Sequence, residues 1–286
     1  MRITELYGRG RLPISFEIFP PKGELDELAL DGMLGELAAT RPDYISVTYS
    51  AGGSGNSDRS ARIAGKIQNE YGICAMAHLT CINSLRAEVD EAVRQFHQQG
   101  IQNVLALRGD RIPDRQATDF GFAWELVAYL KKTTDFTLAG ACYPESHVAC
   151  DSLDVSIEHL RQKQDAGLDF LITQLFFDNT CYYRFLEKAR TRGITLPIDV
   201  GIMPILTKAS LTKMVFGCGA SLPAAAVRMV YKYQDDPESL RRAGVDYAAA
   251  QILDLAANGV DGIHIYVMNK PDVARTLTAA LHDAGY

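Results

Sequence analysis

A (β/α)₈ barrel of the α/β class is the fold this sequence predicts, and three observations predict it. Short apolar runs with strand character alternate along the chain with longer amphipathic stretches of helical period. Eight such strand–helix pairs fit into the 286 residues, which is the arithmetic of a barrel of roughly 250 residues; an open doubly wound sheet more often uses about five or six strands. Glycine or proline punctuates the helix-to-strand joints, at Pro42, Gly72, Gly100, Gly167, Gly193 and Gly259.

The elements follow in order. Ile14–Phe19 reads as the first strand and Glu24–Ala39 as its helix. Tyr44–Thr48 and Ser57–Glu70 form the second pair, Cys74–Leu79 and Leu85–Gln99 the third, Asn103–Leu107 and Asp119–Thr133 the fourth. Thr137–Cys142 precedes the helix Ser152–Asp165, Phe170–Thr173 precedes Thr180–Arg192, and Ile198–Ile202 precedes Lys208–Phe216. Gly262–Tyr266 is the last strand and Asp272–His282 the last helix, with Leu222–Asn258 supplying extra helices before the eighth strand. No Gly/Ser/Pro-rich linker interrupts this order, so residues 1–286 read as a single domain.

Composition removes several classes of function. Apolar residues make up 47% and charged residues 22%, the balance of a globular chain. No apolar run reaches the roughly 18 residues that span a bilayer, and Met1–Pro13 carries three arginines but no apolar core of a secretory signal. A net charge of -6 gives no electrostatic footprint for nucleic acid or an anionic membrane. Six scattered cysteines, with no CxxC spacing, fit reduced thiols and a cytoplasmic protein. Six histidines show no HExxH or HxH pattern, so no metal site is expected.

In a barrel of this class the chemistry sits at the C-terminal ends of the strands. Polar side chains gather there: Glu17 before Phe19-Pro20-Pro21, Thr48-Tyr49, His78, Arg108-Gly109-Asp110, Tyr143 and Gln174. Glu17 alternates with Phe16 and Ile18, so it takes the opposite face of its strand. Facing the barrel interior, its carboxyl would be desolvated, which raises a carboxyl pKa and suits a general acid; a backbone-bonded structural Glu is the other reading. Gly109 would let the backbone approach a planar ligand, and Asp110 would hydrogen-bond a donor-rich heterocycle, although the trio also fits a surface turn. Ser156, His159 and Lys163 share one face of the fifth helix, fit either for a diphosphate or for solvent. No GxGxxG or Walker A sequence is present, so a nucleotide would bind in a non-Rossmann manner.

Five segments, in order, resemble the methylenetetrahydrofolate reductase family. They are Ser15–Lys22 (SFEIFPPK), Ser46–Tyr49 (SVTY), Ala77–Cys81 (AHLTC), Ala106–Asp110 (ALRGD) and Ile172–Asp178 (ITQLFFD), and the resemblance covers essentially the whole chain. It implies a barrel with noncovalent FAD that reduces 5,10-methylenetetrahydrofolate to 5-methyltetrahydrofolate in ping-pong order, with NADH or NADPH as hydride donor. It places such a protein in one-carbon metabolism and methionine biosynthesis and leaves a homo-oligomer open. Carried over by residue, Glu17 is the general acid, and Asp110 is a catalytic carboxylate that contacts the pterin and lies near the flavin. Gln174 and Thr48 serve the folate and nicotinamide, and Lys270 stands where the family has an arginine toward the folate tail. Tyr49, Ala51, His78, Leu107, Arg108, Gly109, Ala123, Tyr143, His147 and Lys163 match flavin-contacting positions. Ser156 and His159 replace the family's acidic residue and asparagine on the fifth helix. Two other readings fit less of the pattern: a different flavin barrel oxidoreductase of the proline dehydrogenase kind, and a folate- or flavin-binding subunit that needs a partner electron carrier.

Overall fold

The structure, a computed structural model, describes residues 1–21, 26–49, 56–111 and 119–286, without the side chains of Asn56 and Ser57. Eight parallel strands close into a barrel in sequential order, β1 (Ile14–Ile18), β2 (Tyr44–Val47), β3 (Cys74–Thr80), β4 (Asn103–Leu107), β5 (Thr137–Cys142), β6 (Phe170–Thr173), β7 (Ile198–Ile202) and β8 (Gly262–Tyr266). Closure pairs β8 with β1, setting Ser15 beside His264 and Glu17 beside Tyr266. The helices are α1 (Glu27–Ala39), α2 (Asn56–Asn69), α3 (Arg86–Gln98), α4 (Ala123–Thr133), α5 (Leu153–Asp165), α6 (Asn179–Thr191), α7 (Lys208–Cys218), α8 (Ala224–Lys232), α9 (Pro237–Ala257) and α10 (Pro271–Asp283). Helices α8 and α9 are the extra pair expected before the last strand.

Alternation along each strand sorts the side chains into two cores. Ile14, Phe16, Ile18, Val104, Leu138 and Ile263 face outward and pack against Leu34, Val89, Leu126 and Leu277 of the helix ring. Tyr44, Met76, Leu105, Phe170 and Ile172 fill the barrel itself. A 3₁₀ turn over Ile3–Leu6 packs Ile3 and Leu6 into this inner core. It is tied there by Asn103, which accepts from the Ile3 N–H at 2.9 Å and donates to Met1 O at 3.1 Å.

Helix starts are set by capping groups. Asp26, Ser152, Asp178, Thr207 and Asp236 each accept a first-turn N–H. Among the described residues one start, that of α4, differs from expectation by more than one residue. α1 is capped by Asp26, and Glu24, where the sequence places its start, lies outside the described residues. α4 begins at Ala123 rather than Asp119 because the Glu125 carboxylate accepts the N–H groups of Gly121 and Phe122, at 2.5 and 2.9 Å. That bond also holds Phe122, Ala123 and Trp124 at the barrel mouth.

Candidate active site

Two adjoining cavities open at the C-terminal ends of the strands. The first, of about 310 Å³, is lined by Glu17, His78, Asp110, Gln174, Cys218 and Tyr266 among others. The second, of about 120 Å³, is lined by Phe122, Ala123, Trp124, Cys150, Ser156, His159 and Lys163. Leu107, Arg108, Ala141, Tyr143 and His147 belong to both and form the wall between them.

Glu17 rises from β1 into the first cavity because the outward positions Phe16 and Ile18 are taken by the helix-side core. Its Oε2 lies 3.6 Å from His78 Nε2 and 3.7 Å from His264 Nε2. The side chain keeps 21% of its surface exposed, so it stands at the open end of the barrel and is less enclosed than the strand pattern suggested. His78 is buried and its pKa is pushed down to about 4, chiefly by desolvation, with Glu17 opposing and His264 adding to the fall. It is therefore a neutral ring at pH 7. Tyr266 donates to Thr173 O at 2.7 Å, and burial holds its phenol well above the usual range.

The Arg108-Gly109-Asp110 turn is fastened by its backbone. Ile82 N–H donates to Arg108 O at 2.8 Å and Asn83 Nδ2 to Asp110 O at 2.6 Å. Gly109 has φ of 78°, and a Cβ there would stand 2.9 Å from Thr80 Cβ, so the backbone can lie this close to β3 only as glycine. Gln174 accepts from the Leu175 N–H at 2.9 Å, which leaves its NH₂ as the group it offers.

The second cavity has a different electrical character. Arg108, His147, His159 and Lys163 line it, and none of its described lining residues is a carboxylate. Lys163 donates to Ala141 O at 2.8 Å and stands 5.6 Å from the centre of the Tyr143 ring. Desolvation is the main cause that lowers its pKa to about 8. Burial pushes the Tyr143 phenol up to about 12, so it remains a hydrogen-bond donor. His147 meets that ring edge-on at 4.7 Å, and its Nδ1 accepts from the Ala149 N–H at 3.0 Å. That bond places the proton of a neutral ring on Nε2. At the outer end the Phe122 and Trp124 rings are nearly parallel at 6.5 Å, and Cys150 Sγ lies 3.5 Å from His159 Nδ1.

The family model described as methylenetetrahydrofolate reductase matches residues 2–282. The chain belongs to the methylenetetrahydrofolate reductase family. It is 33% identical over 273 residues to 5,10-methylenetetrahydrofolate reductase of Pectobacterium carotovorum, covering 96% of this chain and 91% of that one. The Escherichia coli protein of the same name is 32% identical, with 96% and 92% covered. Methylenetetrahydrofolate reductase 1 of Schizosaccharomyces pombe is 33% identical over 278 residues, but the chain spans only 46% of that longer protein. Among solved structures, an uncharacterized Clostridium thermocellum protein that binds two copies of 5-methyl-5,6,7,8-tetrahydrofolic acid has the same fold, with a TM-score of 0.68 and 14% identity. The two chains are covered to 96% and 97%.

Within this family member, the residues expected to bind cofactor or substrate fall into three groups. Glu17, His78, Gly109, Asp110 and Gln174 line the first cavity, Ala123, Ser156, His159 and Lys163 line the second, and Leu107, Arg108, Tyr143 and His147 line both. Thr48, Tyr49 and Lys270 line neither. Tyr49 packs against the helix-side core, Thr48 is tied through its backbone to Ile18 and Ser60, and Lys270 is exposed at the start of α10. Ala51 lies outside the described residues. His264, Tyr266, Cys218, Phe122, Trp124 and Cys150 join the site without having been singled out from the sequence. For His264 and Tyr266 a signal existed: they alternate on the last strand as Ser15 and Glu17 do on the first.

Proposed function

We propose that this chain reduces 5,10-methylenetetrahydrofolate to 5-methyltetrahydrofolate with bound FAD. The observation that carries the reading is the pairing of the two cavities. Carboxylates, Glu17 and Asp110, stand in one, basic groups with no carboxylate among the described lining residues stand in the other, and a wall through Arg108 and Tyr143 joins them. A dinucleotide with a diphosphate, an adenine and a flat ring needs these features: cations, aromatic surface and a close backbone approach. Lys163, His159, Ser156 and Arg108 would face the diphosphate, Phe122 and Trp124 the adenine, and Gly109, Tyr143 and His78 the ring system. When bound, FAD supplies the hydride carrier that no side chain can be, loaded by NADH or NADPH and unloaded onto folate in ping-pong order.

The chain's own groups do the remaining work. Glu17 delivers a proton to a folate nitrogen to open the methylene bridge. The Asp110 carboxylate faces the pterin and favours the positive charge that develops there. The Gln174 NH₂ donates to whichever substrate occupies the first cavity. His78, neutral by burial, adds no charge of its own beside Glu17.

The test separates the two half-reactions. Glu17→Gln keeps size and a hydrogen-bond donor but cannot release a proton, and a positioned acid contributes about 10²–10⁴-fold. Stopped-flow measurement should show flavin reduction by NADH at a near-normal rate and folate-dependent reoxidation slowed at least about 10²-fold. Equal losses in both steps, or none in either, would remove Glu17 from the mechanism.

A further inference from the structure

His264 has no solvent exposure, although it is polar and none of the apolar packing requires an imidazole. Its ring is held from several sides. The Tyr44 ring stacks on it at 5.8 Å and 19°, and Tyr266 meets it edge-on at 5.5 Å. Nδ1 lies 2.7 Å from Ser15 Oγ and Nε2 lies 3.5 Å from Ser46 Oγ. Turning the ring would break contacts on β1, β2 and β8 together. The same Nε2 stands 3.7 Å from Glu17 Oε2.

The second imidazole at this carboxyl differs. His78 Nε2, 3.6 Å from the same oxygen, is buried and has no hydrogen-bond partner among the described residues. A side chain that must act within about 0.5 Å of one geometry needs a neighbour whose own rotamer is locked. Of the two rings, His264 meets that condition.

We infer that His264 is a positioning residue for Glu17: the ring locked between β1, β2 and β8 sets where the carboxyl stands at the floor of the first cavity. The inference rests on the reading of Glu17 as the acid. His264→Asn keeps an amide near Ser15 and withdraws the atom near Glu17, whereas His264→Gln can still reach that place. A displacement of about 1 Å can cost up to about 10²-fold in rate.

The experiment measures both half-reactions of the FAD-loaded enzyme in His264→Asn, His264→Gln, Glu17→Gln and the double variant Glu17→Gln/His264→Asn. The expected result is folate-dependent reoxidation slowed at least about 10-fold in His264→Asn and restored to within about 3-fold of wild type in His264→Gln. NADH-dependent reduction should be unchanged, and His264→Asn should cost nothing further once Glu17 is already Gln. Parallel losses in both half-reactions, or a full additional loss in the double variant, would overturn the inference. A second measurement needs neither activity nor flavin. In ¹⁵N-histidine-labelled protein, the His264 imidazole signals, assigned by their absence from the His264→Gln spectrum, should move when Glu17 becomes Gln. Unmoved signals would refute the contact. If Glu17→Gln alone leaves folate reduction intact, the reading of Glu17 as the acid fails, and the imidazole signals then decide whether His264 holds that side chain.

Discussion

Raising the pH from 7 to 9.5 should weaken FAD binding about 30-fold, and Lys163 is the reason. Burial lowers this lysine to about pKa 8 in the free site. The sign is that of a base with a depressed pKa: the ammonium is present below 8 and is lost as pH rises through it. A diphosphate needs the charged form, so binding above pH 8 must first return a proton to Lys163. That costs tenfold per pH unit while the complex keeps the lysine charged, which at pH 9.5 is about 1.5 units, or ~2 kcal/mol. Three neighbours do not imitate the effect. The Tyr143 phenol and the Cys142 thiol are held up to about 12, and His147 is lowered by burial and so is neutral throughout. Titrating apoprotein into FAD and following flavin fluorescence from pH 7 to 9.5, with circular dichroism to confirm folding, gives the curve. Lys163→Met should bind weakly and without slope over the same range. A wild-type dissociation constant that stays flat from pH 7 to 9.5 would refute the assignment of Lys163 to the diphosphate.

Two further outcomes concern the scaffold. Asp199 is buried inside the barrel, accepts from Tyr44 OH at 2.6 Å, and is raised by desolvation to about pKa 6. An acid raised on folding has its full contribution below its ordinary 3.8 and loses it as pH rises through about 6, a loss of ~3 kcal/mol. Asp199→Asn should therefore be more stable than wild type at pH 8 and not at pH 4 by urea unfolding; no difference between the two pH values would contradict this. Gly109→Ala combines the left-handed backbone with a close approach to Thr80. It should lower stability by about 1–3 kcal/mol and weaken flavin binding, and a variant with wild-type melting and affinity would show that the turn has room.

Much of the candidate site is legible in the sequence because barrel chemistry is tied to local position. A polar residue just past an apolar run lies at a strand end, and strand ends in this fold share one mouth. Glu17, His78, Arg108-Gly109-Asp110, Tyr143 and Gln174 meet that criterion, and all line the first cavity. Thr48 and Tyr49 met the same criterion and line neither cavity, because an end-of-strand residue can also turn outward onto the helix layer, as Tyr49 does. The start of α4, a few residues later than the pattern suggests, is decided by one capping carboxylate, Glu125, whose reach depends on backbone direction.

Eight strand–helix units, their order and the alternation that sends Glu17 inward follow from the amino-acid sequence, because period, turn residues and strand facing are local properties of the chain. Barrel closure is not local. It brings Ser15 beside His264 across 249 positions and so puts a locked imidazole next to Glu17. It also lets Met1 and Ile3 anchor on Asn103 beneath the inner core. The division of the mouth into a cavity with carboxylates and one lined by Lys163 and His159 arises in the same way. Its members come from strands and helices far apart in the chain, and only packing around a closed sheet determines which of them share a wall.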